Sequence, residues 1–278
     1  MTNAYDAREA LARLGATGDD FDLAEAALAF ASLERPGVGI EPYNRHLTRL
    51  CKDVSAYAGR APDLPLQEDA LRQVLCRRYG YGAVEEEDGD ESDDDGSNLM
   101  HVIDRRSGRP VALGIIFLHA ARSQGWHMDA LDFAPRFVVR LEHGGHRVIL
   151  DPCAGAHRVS PADLRAYIKA TMGNDAELTP EKYRVMSNRE VVLRLANRTK
   201  VRQLRAERLD DALITIEAML LIAPDVAPLW REAGLLHARL DNVRDAVAAL
   251  EQYFSRTPVG TVRYRTSVLL QELRGRLN

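Results

Sequence analysis

Cysteine is scarce in this chain. Only Cys51, Cys76 and Cys153 occur in 278 residues, and no two form a Cys-x-x-Cys pair. That argues against a disulfide framework and against a structural zinc site, and it fits a reducing cytoplasm. Long apolar runs are missing too. The longest, Val111 to Ala121, is broken by Gly114 and His119 and is too short to span a bilayer, so no membrane partner is expected. The first residues, Met1-Thr2-Asn3-Ala4-Tyr5-Asp6, show no basic stretch followed by an apolar one, and no secretory signal is expected there. A strong charge imbalance is absent as well. The net charge of −4 carries no footprint of a nucleic-acid partner.

What is present is an ordinary soluble composition, 46% hydrophobic and 28% charged, in a chain long enough for two domains. Its charge is unevenly placed. Glu85 to Asp95 reads EEEDGDESDDD, nine acids in eleven residues; without them the chain carries 37 basic and 32 acidic side chains, a balance of +5. An EF-hand reading would set Glu91, Asp93 and Asp95 at positions one, three and five and Gly96 at six. It would then put Val102 where a bidentate Glu is needed. Like charges this dense repel and bury nothing, so the run reads as a solvated loop.

Three helices precede that loop. Leu23, Ala26, Ala27 and Phe30 mark a helix over Phe21 to Leu33, which Pro36-Gly37-Val38-Gly39 breaks. Tyr43, Leu47, Leu50 and Val54 mark one over Pro42 to Ala58, and Leu71, Val74 and Leu75 one over Asp69 to Tyr79. After the loop, Val111 to Gln124 is apolar nearly all round and should be buried on most sides, with Gly125 as its cap. Ala130 to Phe133, Phe137 to Leu141 and Arg147 to Leu150 read as strands, the last two joined by a hairpin turn at Glu142-His143-Gly144-Gly145. Ser160-Pro161-Ala162-Asp163 opens another helix with a Ser cap and Pro in the first position.

From about Asn188 the chain is helical and repeats itself. Leu209, Asp211, Ala212, Glu217 and Pro224 recur as Val243, Asp245, Ala246, Glu251 and Pro258, always 34 residues on. That period, with a small residue at the helix crossing and a Pro after the second helix, resembles the tetratricopeptide repeat. Apolar periodicity stops between Met172-Gly173-Asn174 and Pro180, which places a domain boundary there.

Four segments carry a wider resemblance. They are Val102-Ile103-Asp104-Arg105-Arg106 leading to Gly108-Arg109-Pro110; Phe133-Ala134-Pro135-Arg136-Phe137-Val138-Val139-Arg140; Ile149-Leu150-Asp151-Pro152; and Arg231-Glu232-Ala233-Gly234-Leu235-Leu236-His237-Ala238-Arg239-Leu240. Together, from about Leu23 to Leu273, they resemble a bacterial family of transglutaminase-like proteins with C-terminal tetratricopeptide-like repeats, the Sir-B-one or invasion-regulator type. The resemblance implies an α+β fold. A papain/transglutaminase-like core with N-terminal helices would occupy residues 1–177, and an all-α tetratricopeptide-like domain residues 178–278. In such a core a Cys begins a buried helix, a His lies on the next strand and an Asp on the strand after. The matching places here are Pro110, Arg136 and Asp151. Family members often have Ile at the place of Arg109, they have a large apolar or aromatic residue at Cys153, and many carry a His at Arg136. The resemblance implies regulation, without an agreed biochemical activity.

The chemistry of those residues can be weighed directly. A papain-type site needs a thiolate, formed where a helix N-terminus and an imidazolium lower a thiol pKa. Proline at position 110 is an ordinary helix-initiating residue and no nucleophile. Arginine at 136 stays protonated and cannot act as a base, but it can pair with Asp151. Cys153, with His157 four residues on, is the alternative nucleophile for a cysteine hydrolase or acyltransferase; the plainer reading is a small apolar residue. His143, His146 and His157 could in principle meet at a metal, although turn histidines are usually solvated. Finally, Arg194, Arg198, Arg202 and Arg205 fall on one helix face, with Leu193, Ala196 and Leu204 roughly opposite. Such a stripe is either a solvated face or a docking strip for an acidic partner, the Glu85–Asp95 run included. The expectation is a cytoplasmic, non-catalytic regulatory or protein-interaction module that needs no cofactor and no metal and binds a protein or peptide.

Overall fold

The structure is a computed structural model that describes residues 4–83, 96–133, 136–179, 183–257 and 261–277. The acidic run, Ala134-Pro135, Pro180 and the repeat's Pro258 lie outside the described residues. In chain order the first elements are α1 (Ala4–Ala16), α2 (Leu23–Glu34), α3 (Glu41–Ala58), α4 (Leu64–Leu71) and a π-helical turn over Arg72–Arg78. Then come β1 (Gly82–Ala83), α5 (Leu99–Arg105), β2 (Ser107–Gly108) and α6 (Pro110–Arg122). The strands β3 (His127–Phe133), β4 (Arg136–His143), β5 (His146–Asp151) and β6 (His157–Arg158) follow, then α7 (Pro161–Met172) and β7 (Arg184–Val185). Five helices close the chain: α8 (Asn188–Arg205), α9 (Leu209–Ile222), α10 (Ala227–Arg239), α11 (Val243–Arg256) and α12 (Thr261–Leu277).

Everything is arranged around α6. Ten of its thirteen residues, Val111 to Leu118 with Ala120 and Ala121, are buried, which is why the segment is apolar on all sides. Helices α2 and α3 cover one side, and the sheet covers the other. Contact with β4 is close: a Cβ at Gly114 would collide with the Phe137 ring, so only glycine lets helix and strand approach this far. The helix closes on Gly125 (φ +73°), where Trp126 N donates to Ala121 O at 3.1 Å.

The five-stranded sheet is antiparallel throughout, in the order β6-β5-β4-β3-β7. Alternation divides its faces. Met128, Ala130, Val139 and Leu141 join the main core, while Leu131, Phe133 and Val138 pack with Leu164 and Ile168 of α7. Ser160 and Asp163 cap α7 reciprocally. The third helix starts earlier than its periodicity suggests, because Asp63 accepts from Leu66 N at 3.0 Å and Pro65 is harmless in a first turn.

The fold is α+β with a helical repeat region behind it. Both helices of the repeat recur at the same offset: α9 and α11 begin at 209 and 243, α10 and α12 at 227 and 261. Ala212 and Ala246 are fully buried, and Gly234 presses so close to Leu250 that a Cβ would overlap it. Helix α1 packs on α9. Ala7, Leu11 and Leu14 are buried, Arg8 pairs with Glu217 at 2.9 Å, and Gly15 leaves no room for a Cβ against the Leu221 carbonyl. Among the described residues no helix is long and apolar enough to cross a membrane.

Candidate functional site

β4 and β5 bring Arg136 and Asp151 together at one end of the sheet, and α6 starts at Pro110. Pro110 occupies the first turn of α6, and its neighbour Arg109 caps the helix, with Arg109 N donating to Gly96 O at 2.8 Å. Arg136 opens β4 and Asp151 ends β5. The Arg136 guanidinium lies 2.9 Å from Asp151 Oδ2 and 4.0 Å from the centre of the Tyr167 ring. The carboxylate is almost wholly buried, its side chain 5% exposed, while that of Arg136 is 45% exposed. The other carboxylate oxygen accepts from Cys153 N at 2.9 Å and Ala154 N at 3.3 Å. Asp151 is therefore fully engaged in holding a cation and a turn.

Cys153 sits on that turn. Burial, reinforced by the Asp151 charge, pushes its thiol up to about 12, although Arg136 and Arg109 pull the other way. At neutral pH it is a protonated thiol, the opposite of an activated nucleophile. His157 is exposed on β6, opposite Asp151 in the strand register. His143 meets Gln67 at 3.1 Å and stands opposite His146. Among the described residues no group of three His, Cys, Asp or Glu side chains is placed to hold a metal.

The arginine stripe on α8 faces inward across a groove. Arg194, Arg198, Arg202 and Arg205 line a cleft of about 330 Å³ whose opposite wall carries Ser97 and Arg109. Each arginine has its own setting. Arg194 donates to Asp132 Oδ1 and to the Arg136 carbonyl oxygen, both at 3.2 Å. Its guanidinium pKa is lowered, chiefly by burial; Asp132 opposes the shift and Arg198 adds to it. Arg202 pairs with Glu34 of α2, and both are mostly buried. Arg198, exposed between them, makes no hydrogen bond or ion pair among the described residues. The groove thus runs along α8 from Arg194, which bonds the Arg136 carbonyl oxygen, to Arg205.

Comparison with known proteins agrees with this arrangement. The profile of the transglutaminase-like superfamily matches residues 41–197, the whole span from α3 to the cleft-lining part of α8. The chain belongs to the transglutaminase-like superfamily. A tetratricopeptide repeat profile matches residues 200–271, where the 34-residue offset is found. Among curated relatives, a UPF0162 protein of Vibrio cholerae is 26% identical over 244 residues, 86% of this chain and 89% of its own length. UPF0162 protein YchA of Escherichia coli is 26% identical over 70% of this chain and 72% of its own. Protein SirB1 of Salmonella typhimurium is 25% identical over 69% and 71%. No solved structure matches.

Within this transglutaminase-like fold, sequence reasoning missed two clusters. The Asp104-Arg105-Arg106 motif is an architectural clamp. Asp104 accepts from Arg35 at 2.9 Å and Tyr43 at 3.0 Å, and Arg106 (φ +62°) donates to Tyr81 and His46, each at 2.7 Å. Burial, Arg106 and Arg49 push the His46 imidazole down to about 4. The second cluster is His119 with Asp22, 3.2 Å apart. Asp22 and the nearby Cys51 thiol raise the His119 imidazole to about 10 against its burial. No spacing rule joins residues 22, 51 and 119; only the packing of α2, α3 and α6 does.

Proposed function

We propose that this transglutaminase-like protein is a non-catalytic regulatory module of the cytoplasm, which holds a protein or peptide partner in the α8 arginine cleft. The observation that carries the reading is Arg136 ion-paired to Asp151 at 2.9 Å. A hydrolase of this fold needs a base there, and a guanidinium remains protonated throughout the working range of pH. Pro110 offers no nucleophile in the helix's first turn, and the raised pKa of Cys153 speaks against a relocated one. The reading requires neither cofactor nor metal. Residues 1–177 would supply the cleft's far wall, and residues 178–278, which begin just ahead of α8, the arginine ridge and the tetratricopeptide-like array. A protein or peptide suits a single cationic groove better than nucleic acid, which needs a broad basic surface.

Affinity capture from native cells tests this. Arg198→Glu/Arg205→Glu suits the purpose because it leaves the Arg202–Glu34 pair in place, whereas Arg202→Glu would press a second carboxylate against Glu34. Wild type should retain one or more partners that the double variant loses. Retention of every partner by the variant would leave the ridge as a solvated face. Turnover of an amide or thioester substrate that disappears in Cys153→Ala would overturn the non-catalytic reading.

A further inference from the structure

The cleft's geometry says more about its occupant than its charge does. Arg194, Arg198 and Arg202 are spaced four residues apart on α8, so successive guanidinium stems rise by about 6 Å. In an extended chain, alternate side chains point the same way and are separated by about 6.6 Å. The two repeats agree to within the reach of an arginine side chain. A helix could also present carboxylates about 6 Å apart, but it is ~10 Å across with its side chains. The cleft offers about 330 Å³. An extended strand is the slimmer of the two and suits a cleft of that size better.

The settings of the arginines mark the centre of the site. Glu34 engages Arg202 and Asp132 engages Arg194, which fixes the two flanking side chains. Arg198 between them is exposed and has no partner among the described residues. On the facing wall Arg109 supplies a further cation and Ser97 a hydroxyl. Such a wall binds fixed carboxylates by charge-assisted hydrogen bonds at regular intervals.

We propose that the cleft recognises an extended acidic peptide segment with carboxylates at alternate positions, read along α8 with Arg198 as the central contact. This rests on the interaction reading above and adds the conformation and spacing of the ligand to it.

Fluorescence polarisation of the full-length protein at low salt tests the proposal with two labelled octapeptides of equal composition. One alternates Glu and Ser, and the other holds its four Glu residues in a block. Because the chain's own Glu85–Asp95 run could compete, a second protein with those nine acids changed to Gln or Asn is titrated in parallel. The alternating peptide should bind at least about fivefold tighter than its isomer, and Arg198→Gln should weaken it about tenfold without lowering the melting temperature. Equal binding of both isomers would overturn the spacing claim while leaving a partner-binding ridge intact. A single-stranded oligonucleotide binding more tightly than either peptide would overturn the peptide class altogether. If neither peptide binds either protein, the inference falls; the broader reading then stands only if Arg198→Glu/Arg205→Glu still loses a partner from cells.

Discussion

The Arg136 guanidinium and the Asp151 carboxylate meet at 2.9 Å across the ends of β4 and β5, one half-exposed and the other buried. That asymmetry sets what each substitution should cost. Arg136→Met strips the cation from a buried carboxylate but leaves the turn bonds in place, and should cost about 1–2 kcal/mol, between the values for exposed and buried pairs. Asp151→Ala also orphans Cys153 N and Ala154 N, and should cost more, about 2–4 kcal/mol. Urea denaturation of both variants gives the comparison. Equal stability of wild type and Arg136→Met would mean that solvent already screens the pair.

Two histidines should shape stability in opposite directions. Folding lowers His46 to about 4, and its Nε2 lies 2.7 Å from Arg106 Nη1, a bond that only the neutral ring can accept. Its contribution is complete above the unfolded value of about 6.5 and is lost as pH falls toward 4. Folding raises His119 to about 10, so the stability from Asp22 is complete below about 6.5 and is lost as pH rises toward 10. Urea midpoints should therefore sag on both sides of neutrality. His119→Gln should flatten the alkaline limb alone; an unchanged alkaline limb would show that His119 is not protonated in the folded protein.

Thiol reactivity should separate the three cysteines. Burial pushes Cys76 up to about 11 and Cys153 to about 12. Both should react with iodoacetamide at pH 8 at least about tenfold more slowly than a free thiol, because only the thiolate attacks. Cys51, which adjoins His119, should be alkylated first, as peptide mapping would show. Preferential labelling of Cys153 would revive the hydrolase alternative.

The acidic run bears on the cleft through charge and covalent attachment. Its nine acids precede Gly96, whose carbonyl holds Arg109 N, and Ser97, which lines the groove. Neutralising the run should strengthen the binding of an acidic peptide several-fold at low salt. The gain should vanish near 0.5 M, where screening lengths shrink to about 4 Å. A gain that survives high salt would point to another cause.

Gly114→Ala should destabilise the core by about 1–3 kcal/mol, since the added methyl meets the Phe137 ring. A neutral result in thermal melts would show that the ring moves aside freely.

The parts of this fold written in local periodicity were legible in the sequence. Helix α6, the β4–β5 hairpin and the 34-residue offset each announce themselves within their own segments. Helix α1 does not, because its buried side, Ala7, Leu11 and Leu14, is narrow and one of its two partners, α9, lies some two hundred residues away. The π turn after α4 and the two-residue strand β7 have no local signature. The candidate site divides the same way. The stripe of Arg194, Arg198, Arg202 and Arg205 follows from helical spacing alone. Its opposite wall, Ser97 and Arg109, and the bond from Arg194 to the Arg136 carbonyl depend on long-range packing.

The docking of α1 on α9 also has a consequence for how the chain is made. The first helix leaves the ribosome early, yet the surface that receives it is complete only when Ile222 has been added. At ordinary elongation rates α1 waits roughly 10–40 s for its partner. For that time α1 has only α2 to pack against, and the side of it that meets α9 stays uncovered. The final seating of α1 against α9 is therefore a late event in synthesis.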